Sequence, residues 1–514
     1  MDLKLLIKGL LSGLWVLITL VLYFQMHESY GFAFFAGRHF GFVMVALIVF
    51  FGLVYTIKQS KKWAVFIPTG LGILFYLLIG LLMVQISLSR VFEIPTAINW
   101  VNLLLLDISH LLGLGFIISG TLLNGNSCIP LIKIDTQSSI YPSSIFGLGI
   151  MVMTFLYFVL GALELLRMPF TWIPLVWPMI LSPRKSLKLL KEFWLSPIKG
   201  IGEVKWSGWL AIWIMGLFTT LNLLEGIRPV PKGYDALTQY YNLVQIMGQT
   251  ERLVEGFGAY NWLLYIASGK FVWGWDSLSF VLSNSLVLFS AIALYFLAQS
   301  RVSKNTALII AASFMATPLI NVVPGLQQKV EGGILFFSIL GVHTLMVILE
   351  DRSDIRKYLL WLGIISGYLF GIKYSSLILI WSFGVIIAWY FGNFWTLIAT
   401  VCLIVSGIIF LDLDAYADLN WEHLNRNRTV YWLLVVASLS IIIAITDSLV
   451  QWKKIMVGYL LILIGGVLPF APWLVKHYGE TESFKVSDLL NGANQELFFD
   501  FESLKNQIQN EKDN

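Results

Sequence analysis

Apolar runs long enough to cross a bilayer recur from one end of this chain to the other, and that feature leaves few folds open. Stretches such as VNLLLLDISHLLGLGFIISG (101–120) and SGWLAIWIMGLFTTLNLL (207–224) reach the roughly 18–20 residues a helix needs to span a ~30 Å hydrocarbon core. Only 12% of the 514 residues are charged, about half the roughly 25% of an ordinary soluble domain. A membrane barrel would show strands of about ten residues with period-two alternation, and the chain has none. The expected fold is an all-α, polytopic transmembrane bundle. A net charge of +4 gives no reason to expect nucleic acid. Cys128 and Cys402 lie in or beside apolar segments, without neighbours that would make a disulfide framework or a zinc site.

Hydropathy places spans near 5–26, 40–57, 64–87, 99–123, 144–166, 168–182, 207–224, 277–299, 306–322, 332–349, 358–371, 374–391, 394–411, 429–449 and 455–475, or roughly 13–15 in all. The first run follows Lys4 and Lys8 but has no small-residue cleavage site, so it reads as an uncleaved span. The short 168–182 run holds Pro169, Pro174 and Pro178 and reads as re-entrant. Basic loops at 58–62, 184–205, 300–305, 350–357 and 451–454 fall on one side, which the positive-inside tendency makes cytoplasmic. That puts the N-terminus inside, and the C-terminus outside, of a plasma or inner membrane of the cell envelope. Three regions are expected: an N-terminal membrane region (1–206) with its basic segment 184–205, a membrane core (207–476), and a polar extracytoplasmic tail (477–514) that reads as the start of a further domain. The basic segment is either an orientation signal or an amphipathic helix on an anionic membrane surface.

The outward loop from Glu225 to Trp262 is the longest polar-bearing connection, and loops of that length are uncommon without a role. It opens IRPVPKGYDALTQYYN (227–242), where two prolines fix an extended start and Gly233 frees a turn. Asp235 either caps the helix that follows or, at a membrane boundary beside aromatic rings, accepts a proton from an incoming hydroxyl or amine. Tyr234, Tyr240 and Tyr241 offer flat faces and phenol groups of the kind that bind sugar rings. They fit an interfacial aromatic belt equally well. The next stretch, FGAYNWLLYIASGKFVWGWD, reads as lying at or dipping into the outer interface.

The order PKGYD (231–235), AYNW (259–262), ATPLI (316–320), QQKVEGG (327–333) and GIKYSS (371–376) resembles the GT-C superfamily of integral-membrane glycosyltransferases, and within it the group related to protein O-mannosyltransferases. The likeness covers roughly 207–480. It implies a GT-C-like core and inverting transfer of a sugar from a polyprenyl-phosphate carrier to a lipid, glycan or protein acceptor on the outer face. Carried over residue by residue, it makes Asp235 the base and Glu331 the second catalytic acid. Beside it Lys329 is a candidate phosphate partner, Lys373 is either a second one or a lysine reaching the interface from a helix end, and Tyr234, Gln239, Tyr240, Asn261 and Tyr374 are expected to line the substrate. No cofactor is assigned, and a divalent metal stays open. Ala236 stands where many members carry a second acid, and Glu331 where an aspartate is expected. These departures keep open a non-catalytic assembly or docking protein with the same fold.

Asp107 and His110 share a helix face and suit either a proton relay, as in a transporter or lipid-carrier flippase, or a contact between helices. Glu164 and Asp447 sit near span ends, and His343 reads as structural. Asp412, Asp414 and Asp418 lack the spacing of a calcium loop and read as a solvated segment.

Overall fold

The computed structural model describes residues 70–92, 97–196, 203–227, 240–254, 259–317, 320, 329–350, 355–410, 425–447 and 449–482. The expected spans 5–26 and 40–57, the PKGYD element with Tyr234 and Asp235, Gln239, the aspartates of 412–418 and the chain after 482 lie outside them. The described residues are helical and hold no strand. Eight of their helices are long and apolar enough to cross a membrane, and each coincides with one of the expected spans. The protein is a multi-pass helical membrane protein.

The chain divides into two compact units. The first takes residues up to Leu253 together with Trp262–His343, and the second takes Val254–Asn261 with everything from Thr344. The first contains α1 (Gly70–Phe92), α2 (Ala97–Ile132), α3 (Tyr141–Ala162), a 3-10 turn (Phe170–Trp172), α4 (Ile173–Leu181), α5 (Pro183–Leu195), α6 (Trp206–Gly226) and α7 (Tyr241–Thr250). It continues with α8 (Asn261–Ile266, from its second residue), α9 (Ser268–Trp273), α10 (Asp276–Gln299), α11 (Lys304–Met315) and the larger part of α12 (Glu331–Glu350). The second contains α13 (Ile355–Phe370), a 3-10 turn (Tyr374–Ser376), α14 (Leu377–Phe391), α15 (Phe394–Phe410), α16 (Arg426–Asp447) and α17 (Leu449–Thr481).

In the first unit α6, α10 and α11 pack as a trio around buried Phe218, Leu221, Val287, Ala291, Ala311 and Met315. Alanines on α10 and α11 let the axes approach. α1 packs on α5 and α6, so helices on the two sides of residues 206/207 share one unit. The Pro-rich 168–182 run forms the 3-10 turn and the nine-residue α4. At 1.5 Å per residue that helix rises about 14 Å, too little to cross. Several hydroxyls within the apolar helices are satisfied locally. Thr121, Thr154, Thr219 and Ser366 each donate to the carbonyl four residues back, which removes the cost of a bare polar group in an apolar setting. Glu164 and Asp447 lie exposed at helix ends, and both cysteines are free thiols.

In the second unit α13 and α17 meet through backbone. A side chain at Gly367 would collide with the Gly466 carbonyl, and one at Gly363 with the Ile462 carbonyl. With lipid as solvent, apolar area gives little drive for helix association, so close approach and dispersion take over. α17 runs on to Thr481 and carries a Lys476–Glu480 pair at 2.8 Å, so the polar segment expected from 477 begins inside a helix. Gly384 on α14 has open space where a side chain would go. Gly367→Leu should therefore destabilise the unit by about 3 kcal/mol or more, because backbone must move. Gly384→Ala should be neutral or stabilising by up to about 1 kcal/mol. Thermal unfolding of the purified variants followed by size-exclusion chromatography reads both.

Candidate functional site

The aromatic stretch after the Asp235 loop is not laid along a surface. Trp262, Leu264, Tyr265, Ile266 and Ala267 are wholly buried in the first unit. The stretch forms two six-residue helices, α8 and α9, separated by a break at Ala267. Such short helices leave many backbone groups without intrahelical partners, and here side chains supply them. The carbonyls of Phe271 and Val272 accept from Thr171 Oγ1 at 2.9 Å and Trp172 Nε1 at 3.1 Å. The Lys270 amide donates to Ser279 Oγ at 3.0 Å. Gly274, at φ 76°, takes the left-handed turn that closes α9 onto the Lys270 carbonyl at 2.7 Å. Tyr265 and Thr121 hydroxyls meet at 3.1 Å, tying α8 to α2.

That break places a charged group no sequence motif announced. Lys270 Nζ reaches Asp276 Oδ1 at 2.7 Å and Gln245 Oε1 at 2.6 Å. The lysine sits in the last turn of α9 and the aspartate in the first turn of α10, so each charge faces the helix-dipole end that favours it. Tyr241 donates to Asp276 Oδ2 at 3.3 Å. Burial, and then the Asp276 carboxylate, raise the phenol's pKa and keep it protonated. Gly248 leaves room for the lysine stem, where any side chain would meet Lys270 Cε. The lysine and aspartate side chains are 17% and 27% exposed, so the pair sits at an edge. Chemically it offers a fixed ammonium suited to a phosphate oxygen. Asp276, engaged by both neighbours, is poorly placed to be a base.

Beside it, His110 on α2 contacts the Leu106 carbonyl through Nδ1 and Ser277 Oγ through Nε2, both at 2.7 Å. A carbonyl only accepts, so Nδ1 carries the hydrogen and, in the neutral ring, Nε2 accepts from Ser277. The ring also lies against Trp275, 5.3 Å between centroids. This geometry fits the contact between helices better than the proton relay. His343 likewise meets Ser139 Oγ at 2.9 Å.

The expected site residues scatter over both units. Tyr240, half-buried, immediately precedes α7. α7 is docked by the Leu166 amide donating to the Glu251 carbonyl at 3.0 Å and by the Arg167–Glu251 pair at 3.2 Å. Lys329 and Glu331, also half-buried, lie at the start of α12, where a carboxylate complements the helix dipole. Two residues on, Gly333 packs against the Trp262 indole. In the second unit Lys373 and Tyr374 occupy the break between α13 and α14. Lys373 is thus half-buried at a helix interruption rather than within a span. Asn261 is held by the protein's own groups. It is 2% exposed, donates to the Tyr368 carbonyl at 3.1 Å, accepts from Trp473 Nε1 at 2.5 Å, and its amide donates to the Gly371 carbonyl at 3.0 Å. These bonds make it a structural pin. Among the described residues no group of His, Cys, Asp and Glu is arranged to hold a metal.

Breaking the Lys270–Asp276 pair should be costly, because its members are mostly withdrawn from water. Lys270→Met should destabilise by about 1–3 kcal/mol, between the values for exposed and buried pairs. Adding Asp276→Leu should cost less than it does alone, the non-additivity of residues in one network. A double-mutant cycle of unfolding midpoints measures it. Compared with protein-family models, curated proteins and solved structures, the chain gives no match.

Proposed function

We propose that this protein is a membrane glycosyltransferase that moves a sugar from a polyprenyl-phosphate carrier to an acceptor on the extracytoplasmic face. The PKGYD–AYNW–GIKYSS order supports the GT-C reading. The observation that carries it furthest is Lys270, held half-buried by Asp276 and Gln245 on the segment that follows the Asp235 loop. A lysine fixed in a setting of reduced dielectric attracts a phosphate more strongly than one in water.

In this reading the Asp235 carboxylate takes the proton of the acceptor hydroxyl. The freed oxygen electron pair attacks the anomeric carbon, and the bond to the carrier phosphate breaks with its electrons. The products are an inverted glycoside and a free polyprenyl phosphate, whose charge lysines such as Lys270 or Lys329 neutralise as it leaves. General-base assistance is worth about 10²–10⁴-fold in rate. Asp235→Asn should therefore lower transfer from a labelled polyprenyl-phosphate sugar by about that factor at unchanged unfolding midpoint. The test is a panel of such donors offered to reconstituted protein. Turnover that Asp235→Asn leaves intact removes the base assignment. Absence of turnover from every donor overturns the enzyme reading in favour of a docking protein.

A further inference from the structure

The basic segment forms a real helix with two exposed faces. In α5, Arg184, Lys185, Lys188 and Lys191 fall on one side, exposed. Leu187, Leu190 and Trp194 fall on the other, following the three-to-four residue spacing of a helix. Thirteen residues rise about 20 Å, too short to cross a bilayer. One aromatic side chain fixes the helix to the unit. Trp194 Nε1 donates to Ser119 Oγ at 2.8 Å, and its ring packs on Gly70 of α1 and Gly115 of α2. Leu187, Phe193 and Leu195 remain 57%, 39% and 54% exposed, as do Ile180 and Leu181 just before them at 74% and 71%. A helix that shows both lysines and leucines has the form of one lying in a membrane surface.

A second basic group stands a short chain link away. The start of α6 and the α10–α11 turn are joined by the Lys205 amide donating to Asn305 Oδ1 at 2.8 Å and by Lys304–Glu203 at 3.3 Å. This group adds Lys205, Arg301 and Lys304, so seven basic residues face only Glu192 and Glu203 in α5, residues 203–205 and the α10–α11 turn. The Lys188–Glu192 contact is long, 3.9 Å, and exposed, so it neutralises little.

We infer that α5, with residues 203–205 and the α10–α11 turn, is a binding surface for the anionic phospholipid headgroups of one leaflet. Leu187, with Ile180 and Leu181 just before the helix, enters the acyl boundary, and the basic residues meet phosphates. Charge complementarity selects this occupant: a leaflet of zwitterionic lipids has no net charge to draw the four lysine and arginine side chains on α5, whereas each adds attraction to an anionic one.

The test compares the full chain in phosphatidylcholine nanodiscs with discs that also contain phosphatidylglycerol. Trypsin cleavage after Lys185, Lys188 and Lys191 should slow at least about fivefold in the anionic discs, and added salt should reverse the effect. Native mass spectrometry should show phosphatidylglycerol retained by the protein. The triple variant Lys185→Gln, Lys188→Gln, Lys191→Gln should lose at least about tenfold of that retention while unfolding like the parent. Equal cleavage in both discs, or retention untouched by the variant, would overturn the proposal. Protection in neutral discs that rises with protein concentration would overturn it too, by assigning the surface to a second copy of the chain.

Discussion

Everything distinctive about the first unit follows from the obligation to satisfy backbone hydrogen bonds away from water. A chain broken into six-residue helices inside a membrane protein exposes carbonyls and amides that an unbroken span would pair by itself. Here the 3-10 turn at Phe170–Trp172 donates to the end of α9, Ser279 accepts from its lysine, and Gly274 closes the turn. The prolines of 168–182 make sense in this light. By halting a span early they leave Thr171 and Trp172 where those donors are needed. The same break sets Lys270 against Asp276, so a charged pair arises as a by-product of ending one helix and starting another.

The two units solve their packing differently. The second relies on glycine contacts along α13 and α17, where backbones touch and little polar chemistry intervenes. The first buries many polar groups, and several of them bond to a neighbouring helix or turn. Asn124, for example, accepts from Trp177 and donates to the Gly120 and Pro174 carbonyls at 2.7 Å each. Close glycine packing suits a rigid support, whereas side-chain bonding of this kind tolerates interrupted helices and hence a site.

The spans were legible because hydropathy over about 19 residues is a local property, and VNLLLLDISHLLGLGFIISG declares itself whatever surrounds it. That the 168–182 run is too short to cross was legible too, from three prolines. What the sequence hid was pairing across distance. Lys270 and Asp276 sit six residues apart with Gly274 between them, but Gln245 and Tyr241 join them only once α7 folds back. The bonding of Asn261 was hidden for the same reason: an Asn beside aromatic residues resembles a sugar contact, and Trp473, which donates to it, lies far along the chain.

The tautomer of His110 carries a directional consequence. With its one hydrogen given to Leu106, the ring asks Ser277 for another, so the serine hydroxyl points inward and its lone pairs face away. Leu106, His110 and Ser277 thus form a small wire of fixed polarity that ends in an acceptor at the start of α10. If the ring gains a second proton, the wire flips: Ser277 turns its hydrogen outward and becomes a donor.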